Sequence, residues 1–295
     1  VQTDAFLTYL RTEKRFSVHT VDAYRRDLGD LTSFLRLSYE VHTPAQVTRT
    51  MIRTWVAELM SAGFKETTVH RRLSAASAWF RFLQKEGQIA QNPARGVPRP
   101  KLPKRLPTFI EERSAEAFYQ FPVSDDESYA AHRDVLMIQL FYETGMRLSE
   151  LIGLRDRDID RSGRQLRVTG KRNKTRLIPV SPDMLQKLDR LAALRNSHFT
   201  DTQEDSFFVT GKGKKMTRSF VYPRIKKYLS AVTTQRKRSP HVLRHTFATH
   251  MLNRGAELNV IKEMLGHSSL AATQVYTHLG VEKLKSIHGK AHPRS

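Results

Sequence analysis

The sequence predicts a mainly α-helical protein of the α+β class, with a small antiparallel β-sheet or hairpin in the C-terminal domain and a four-helix domain before it. Three observations carry this. Apolar residues recur at three- and four-residue steps up to Gly87. A proline-rich basic segment from Asn92 to Pro107 then breaks the pattern. Beyond it helical periodicity returns, interrupted by one alternating, turn-centred stretch at 164–180.

The elements follow in order. A short opening helix is expected around Phe6 and Leu10. Val21, Tyr24, Leu28, Leu31 and Leu35 form the stripe of a second helix, with Ser17 as its N-cap. Met51, Ile52, Trp55, Val56 and Leu59 form a third, ended by Gly63. Val69, Leu73, Ala76, Phe80 and Leu83 form a fourth, ended near Gly87. These stripes read as core, while Arg25, Arg26, Lys65, Arg71, Arg72 and Arg81 lie on polar faces that suit phosphates. Prolines 93, 98, 100, 103 and 107, interleaved with Arg95, Arg99, Lys101, Lys104 and Arg105, deny the backbone donors and forbid helix. The division expected is a helical domain over 1–97, a linker over 98–107 and a second domain over 108–295. Asp134 to Phe141 reads as a strongly apolar helix, and "RLSELIGL" at 147–154 starts another. "RQLRVTGKRNKTRLIPV" at 164–180 reads as a hairpin, with helices resuming from Asp183.

Composition narrows the function. At 39% hydrophobic and 9% aromatic, a 295-residue chain can bury a real core. Fifty Lys and Arg against 29 Asp and Glu leave a formal charge of +21, of which +15 falls after residue 100. Such a field calls for a polyanionic partner. A membrane surface is the competing partner, but no basic amphipathic helix with a Trp- or Phe-rich face is present. The absence of cysteine excludes disulfides, thiol nucleophiles and cysteine-based zinc sites. No apolar run reaches the roughly 18 residues of a membrane span, and no signal-peptide core opens the chain. A soluble cytoplasmic protein is expected, with no membrane partner. The chain opens on Val1 rather than Met, and a start upstream of it is an expectation.

The candidate chemistry is scattered. In "SPHVLRHTFATHML" at 239–252, Ser239 is placed to cap a helix that begins at Pro240. His241 then lies in the first turn, where free N–H groups favour an anion, and Arg244 follows three residues later on the same side. His245 is expected to pack or hydrogen-bond behind them. A zinc reading of His241 and His245 fails the metalloprotease pattern, which needs Glu where Val242 stands. Gly255 and Gly266 bracket one helix, His267 sits in the turn after it, Ser269 can cap the next, and Tyr276 falls two turns on. Upstream, Arg147 precedes Glu150 by three residues, and Lys171 sits near the hairpin tip. Taken singly, each has an ordinary structural explanation: a core tyrosine, a surface arginine, a solvated turn lysine.

Together, however, "TGMRLSEL", "TGKRNKTR", "HVLRH", "LGH" and "YTH", in that order, resemble the tyrosine recombinases, and within them the Xer type. The resemblance extends over nearly the whole chain, and "KMTRSF…RIKKY" at 215–228 with the closing "HPRS" looks more like the D-type Xer branch than the C-type. The segment before "SPHVLRH" looks shorter than in that family, which bears on loop geometry. The resemblance implies an N-terminal core-DNA-binding domain and a C-terminal catalytic domain. It implies Tyr276 as the nucleophile that forms a 3′-phosphotyrosyl bond, Arg147 and Arg244 as phosphate ligands, and Lys171 as the acid for the leaving 5′-oxygen. His241 would be the general base and His267 a phosphate partner, with Glu150 buttressing Arg147. No metal or other cofactor is expected. The implied partners are double-stranded DNA with a specific recombination site, clamped between the two domains, and a homo- or hetero-tetramer with a paralogous recombinase. A septal DNA translocase is a further candidate. The tail from Val281, with Leu284 and Ile287 on one face, is expected to dock on a neighbouring protomer, the alternative being packing on its own domain. The rival readings are a mobile-element integrase, a type IB topoisomerase, a catalytically silent DNA-binding regulator and a nucleoid structural protein.

Overall fold

The computed structural model describes residues 3–102, 108–122, 128–170, 174–199, 205–266 and 291. The chain divides into two units, Val1–Arg105 and Leu106–Ser295.

The first unit is built from α1 (Asp4–Thr12), α2 (Val18–Tyr39), α3 (Arg49–Ser61) and α4 (Glu66–Lys85). Ser17 caps α2 by accepting from the Thr20 N–H, and Thr48 caps α3 by accepting from Met51. The apolar stripes meet as their spacing demands: Leu28, Leu31, Leu35, Ile52, Val69, Trp79 and Phe80 are all fully buried. Ala94 and Val97 close the same core. The expected linker begins on this unit rather than free of it, because His70 Nε2 pairs with the Pro100 carbonyl at 2.6 Å and Arg99 donates to the Ser74 hydroxyl at 3.2 Å.

The second unit contains α5 (Glu112–Ala115), α6 (Tyr129–Thr144), α7 (Leu148–Ile152), α8 (Pro182–His198), α9 (Arg218–Val232), α10 (Pro240–Asn253) and α11 (Leu258–Leu265). Between α7 and α8 lies a three-stranded antiparallel sheet of β1 (Ile159–Asp160), β2 (Gln165–Thr169) and β3 (Thr175–Pro179). The hairpin pairs Leu166 with Ile178 and Thr169 with Thr175. Its inward residues Leu166, Val168 and Ile178 are buried, as the alternation requires. The two-residue β1 is too short to show any alternation, and the sequence did not reveal it.

Helix α6 is the axis of this unit. It starts five residues before Asp134, every residue from Val135 to Thr144 is buried, and it packs on α8, α9 and α10. Its polar members are bonded within the core. Gln139 donates to the Phe118 carbonyl at 2.9 Å, and Glu143 accepts from the Ser181 N–H at 2.6 Å. Helix α10 is fixed to the segment at 110 by two bonds. The Ile110 N–H donates to Thr246 Oγ1, and His250 Nε2 donates to the Ile110 carbonyl, leaving Nδ1 to accept from Tyr142. Ala291, the one described residue of the tail, is buried among Phe247, Met251 and residues of α11 in its own chain. No helix among the described residues is long and apolar enough to cross a membrane.

Candidate active site

The site forms where three helix ends meet: the C-terminus of α6, the N-terminus of α7 and the C-terminus of α11. Gly145 ends α6 in the left-handed region at φ +58, and a Cβ there would lie 2.5 Å from Phe247 and 2.7 Å from Leu265. Only glycine allows this turn at this packing distance. The turn delivers Arg147 to the N-cap position of α7, with Glu150 three residues into the helix.

Glu150 accepts from the Arg147 backbone N–H at 2.7 Å and from its Nη1 at 2.8 Å. A second arginine, Arg176 on β3, donates to both carboxylate oxygens at 2.8 and 2.9 Å. Burial pushes the Glu150 carboxyl up, but hydrogen bonds and charge from Arg176, then from Arg147, bring it below the ordinary glutamate value. Arg244, buried on α10, donates to the Gly145 carbonyl at 2.7 Å and to the Leu265 carbonyl at 2.6 Å.

Burial first, then the Arg147 and Arg176 charges, push the Arg244 guanidinium down to about 9. It remains a cation at neutral pH. Two guanidiniums therefore share a single carboxylate, and the Arg244 guanidinium, held by two carbonyls, adds its charge beside them, leaving a partly buried excess of positive charge that a phosphate would neutralise. His241 lies in the first turn of α10 and is exposed. Its desolvation, followed by the charges of Lys237, Arg244, His245 and Arg147, lowers its pKa below the ordinary histidine value. It is neutral near pH 7, as a proton acceptor must be.

The structure thus brings Arg147, Arg244 and His241 together. Lys171, His267 and Tyr276 lie outside the described residues, as does the tail helix expected from Val281. The residues just before two of them are described, and both are at the site. A Cβ on Gly170 would stand 3.2 Å from Glu150 Oε1 and 3.6 Å from Arg147 Nη1. The Gly266 carbonyl accepts from Arg147 Nη2 at 2.9 Å.

Two expectations are corrected. Ser239 occupies the N-cap of α10 but makes no capping bond through its side chain. His245 does not pack behind the site; it is exposed, and the buried, bonded histidine of that helix is His250. Arg176 was missed. Its one sequence signal is that it lies on β3 two residues before the inward-facing Ile178, so a charged side chain there needs a buried partner.

A helical first unit and a helical second unit carrying one small sheet, together with an arginine cluster of excess positive charge, are the features of a protein that handles a polyanion. The chain belongs to the phage integrase family: the model of that family matches residues 108–283, and the model of the phage integrase N-terminal SAM-like domain matches residues 3–87. It is similar to the tyrosine recombinase XerC of Pelotomaculum thermopropionicum, 36% identical over 304 residues that cover 100% of this chain and 99% of that protein. The XerC of Listeria monocytogenes is 36% identical over 298 residues, covering 98% and 97%. Among solved structures, the fold matches a XerH site-specific recombinase bound to palindromic difH substrate (TM-score 0.72, 19% identity, 96% of this chain and 82% of that one). It matches the Tn1549 transposon integrase in complex with transposon right end DNA equally well (TM-score 0.73, 20% identity, 95% of each chain). The protein is a tyrosine-type, Xer-like site-specific recombinase, which cleaves and rejoins DNA.

Proposed function

We propose that this recombinase resolves chromosome dimers at a dif-like site, with Tyr276 as nucleophile. The observation that carries the site assignment is the cluster of Arg147 and Arg176 on the Glu150 carboxylate with Arg244 held on the Gly145 carbonyl beside them, a positive hole of the right charge for a scissile phosphate. Arg147 and Arg244 hold the non-bridging oxygens and neutralise the charge that grows in the pentavalent transition state. The Tyr276 oxygen attacks phosphorus, His241 takes its proton, and the bond to the 5′-oxygen breaks. Lys171 protonates that leaving oxygen, and His267 hydrogen-bonds the phosphate. The bond energy stays in the phosphotyrosine, so the freed 5′-hydroxyl of a partner strand can reverse the step without ATP. The placement of Gly170 and Gly266 at the cluster supports the assignments of Lys171 and His267, each one peptide bond away.

Whole-length relatives named XerC at 36% identity favour a chromosomal role over a mobile element. The same relatives favour the C-type branch over the D-type, whose support is confined to residues 215–228 and the closing "HPRS". The enzyme works in the cytoplasm on the nucleoid, as a tetramer with itself or a paralogue, with a septal translocase as activator. The test is a nicked suicide duplex carrying a dif-like site, incubated in EDTA and run on a denaturing gel. Wild type is expected to give a covalent protein–DNA band and Tyr276→Phe none. A band from Tyr276→Phe would assign the nucleophile elsewhere, and a band that needs added paralogue would make the working tetramer mixed.

A further inference from the structure

The last three carbonyls at the end of α11 are satisfied in an unusual way. The Gly266 N–H bonds back to Glu263 and Lys262, so among the described residues the carbonyls of residues 264, 265 and 266 have no partner in the helix ladder. Each is taken by a different arginine from a different element. Arg176 Nε donates to Met264 at 2.6 Å, Arg244 Nη2 to Leu265 at 2.6 Å, and Arg147 Nη2 to Gly266 at 2.9 Å. The negative end of the helix dipole adds to the attraction. Gly266 itself is left-handed at φ +65, and a Cβ on it would press within 3.1 Å of the Arg176 side chain.

We propose that Arg176 is a positioning residue for strand cleavage: it shares Glu150 with Arg147 and, with Arg147 and Arg244, clamps the end of α11 from which the chain runs to His267 and Tyr276. This rests on the assignment of Arg147 and Arg244 to the phosphate. The Glu150 side chain is wholly buried and Arg176 is 12% exposed, so their pairing is shielded from water. With Arg176 in place, Glu150 divides its charge between two guanidiniums. Without it, the whole carboxylate charge falls on Arg147, draws that guanidinium inward and opposes its grip on phosphate. The same loss frees the Met264 carbonyl and loosens the entry to the nucleophile segment. Arginine alone suits this post, because its two Nη atoms fork onto the carboxylate while Nε reaches the carbonyl. A lysine supplies one nitrogen for both.

The experiment is single-turnover cleavage of the suicide duplex at saturating DNA, beside DNA affinity and the thermal midpoint of each variant. Arg176→Gln is expected to slow covalent adduct formation on the order of a hundredfold, with DNA affinity unchanged. Arg176→Lys, which keeps the charge but not the fork, is expected to fall between Arg176→Gln and wild type. The decisive arm is Arg176→Gln combined with Glu150→Gln, which removes the unshared carboxylate. It is expected to cleave faster than Arg176→Gln alone, a rescue that a merely loosened fold does not give. Wild-type cleavage by Arg176→Gln, or a double variant no faster than the single, overturns the proposal. If Arg176→Gln does not fold, wild-type cleavage by Arg176→Lys overturns it and slowed cleavage upholds it. Arg147→Gln runs alongside as the reference. Wild-type cleavage by that variant would overturn the site reading itself, whereas its loss beside an unaffected Arg176→Gln sinks only the positioning role.

Discussion

The two units of this molecule bury different things. In the first, Asp27 is the one buried charged side chain among the described residues, paired with the half-exposed Arg71, and the rest of the core is apolar. In the second, Arg133, Glu143, Glu150, Arg195, Arg244 and His250 are all buried, each bonded to a carbonyl, a backbone N–H or an opposite charge. The interior of the first unit is thus mostly apolar packing, which is non-directional and tolerant, with the Asp27–Arg71 pair as its buried ionic contact among the described residues. The second spends part of its interior on directional polar contacts, each costly if a partner is lost. Chemistry on a phosphate needs fixed charges in a partly dry setting, and the second unit supplies them.

This contrast can be broken by experiment. The largest effect is expected from Leu31→Ala, in the centre of the first core, which should cost about 2–5 kcal/mol of that unit's stability. Denaturant melts measure the loss, and cleavage at saturating DNA should stay at the wild-type rate under conditions where the protein is folded. A slowed chemical step would mean that the first unit does more than pack and bind.

A smaller effect is expected from Glu143. Burial pushes its carboxyl up to about 7, ahead of the opposing hydrogen bonds from Ser181. The folded state therefore holds this proton more tightly than the unfolded chain does. The stability contribution is complete below the ordinary carboxylate range and is lost as pH rises through about 7. Glu143→Gln should shrink the stability difference between about pH 5 and about pH 8 by on the order of 3 kcal/mol. Urea melts at the two pH values decide it, and an unchanged slope would clear Glu143 of the role.

The smallest effect is expected at His241. As the proposed base it must be neutral, so the acid limb of the cleavage rate should lie below the ordinary histidine value of 6.5. Lys237→Gln removes one of the charges that lower it and should move that limb upward, less at high salt. An acid limb that ignores Lys237 would point to a different titrating group.

The same contrast explains what could be read without coordinates. The helices of the first unit were legible down to their caps at Ser17 and Gly63, because hydrophobic periodicity is a local signal and this core obeys it. The hairpin at 164–180 was legible for the same reason, and the Arg147–Glu150 pairing because three residues span one helical turn. The side-chain cap expected of Ser239 and the burial expected of His245 failed because a turn position does not say which face of α10 meets the core.

The sequence by itself determined the fold class, the basic character, the family and the residue types proposed to handle a phosphate. The tertiary structure alone decided that Arg147, Arg176 and Arg244 converge on the end of α11, across 119, 88 and 21 residues of chain. Periodicity tells a residue which side of its own helix or strand to show. It carries no record of which distant carbonyl will be left unpaired when the elements close, and a buried arginine is placed by that unpaired group.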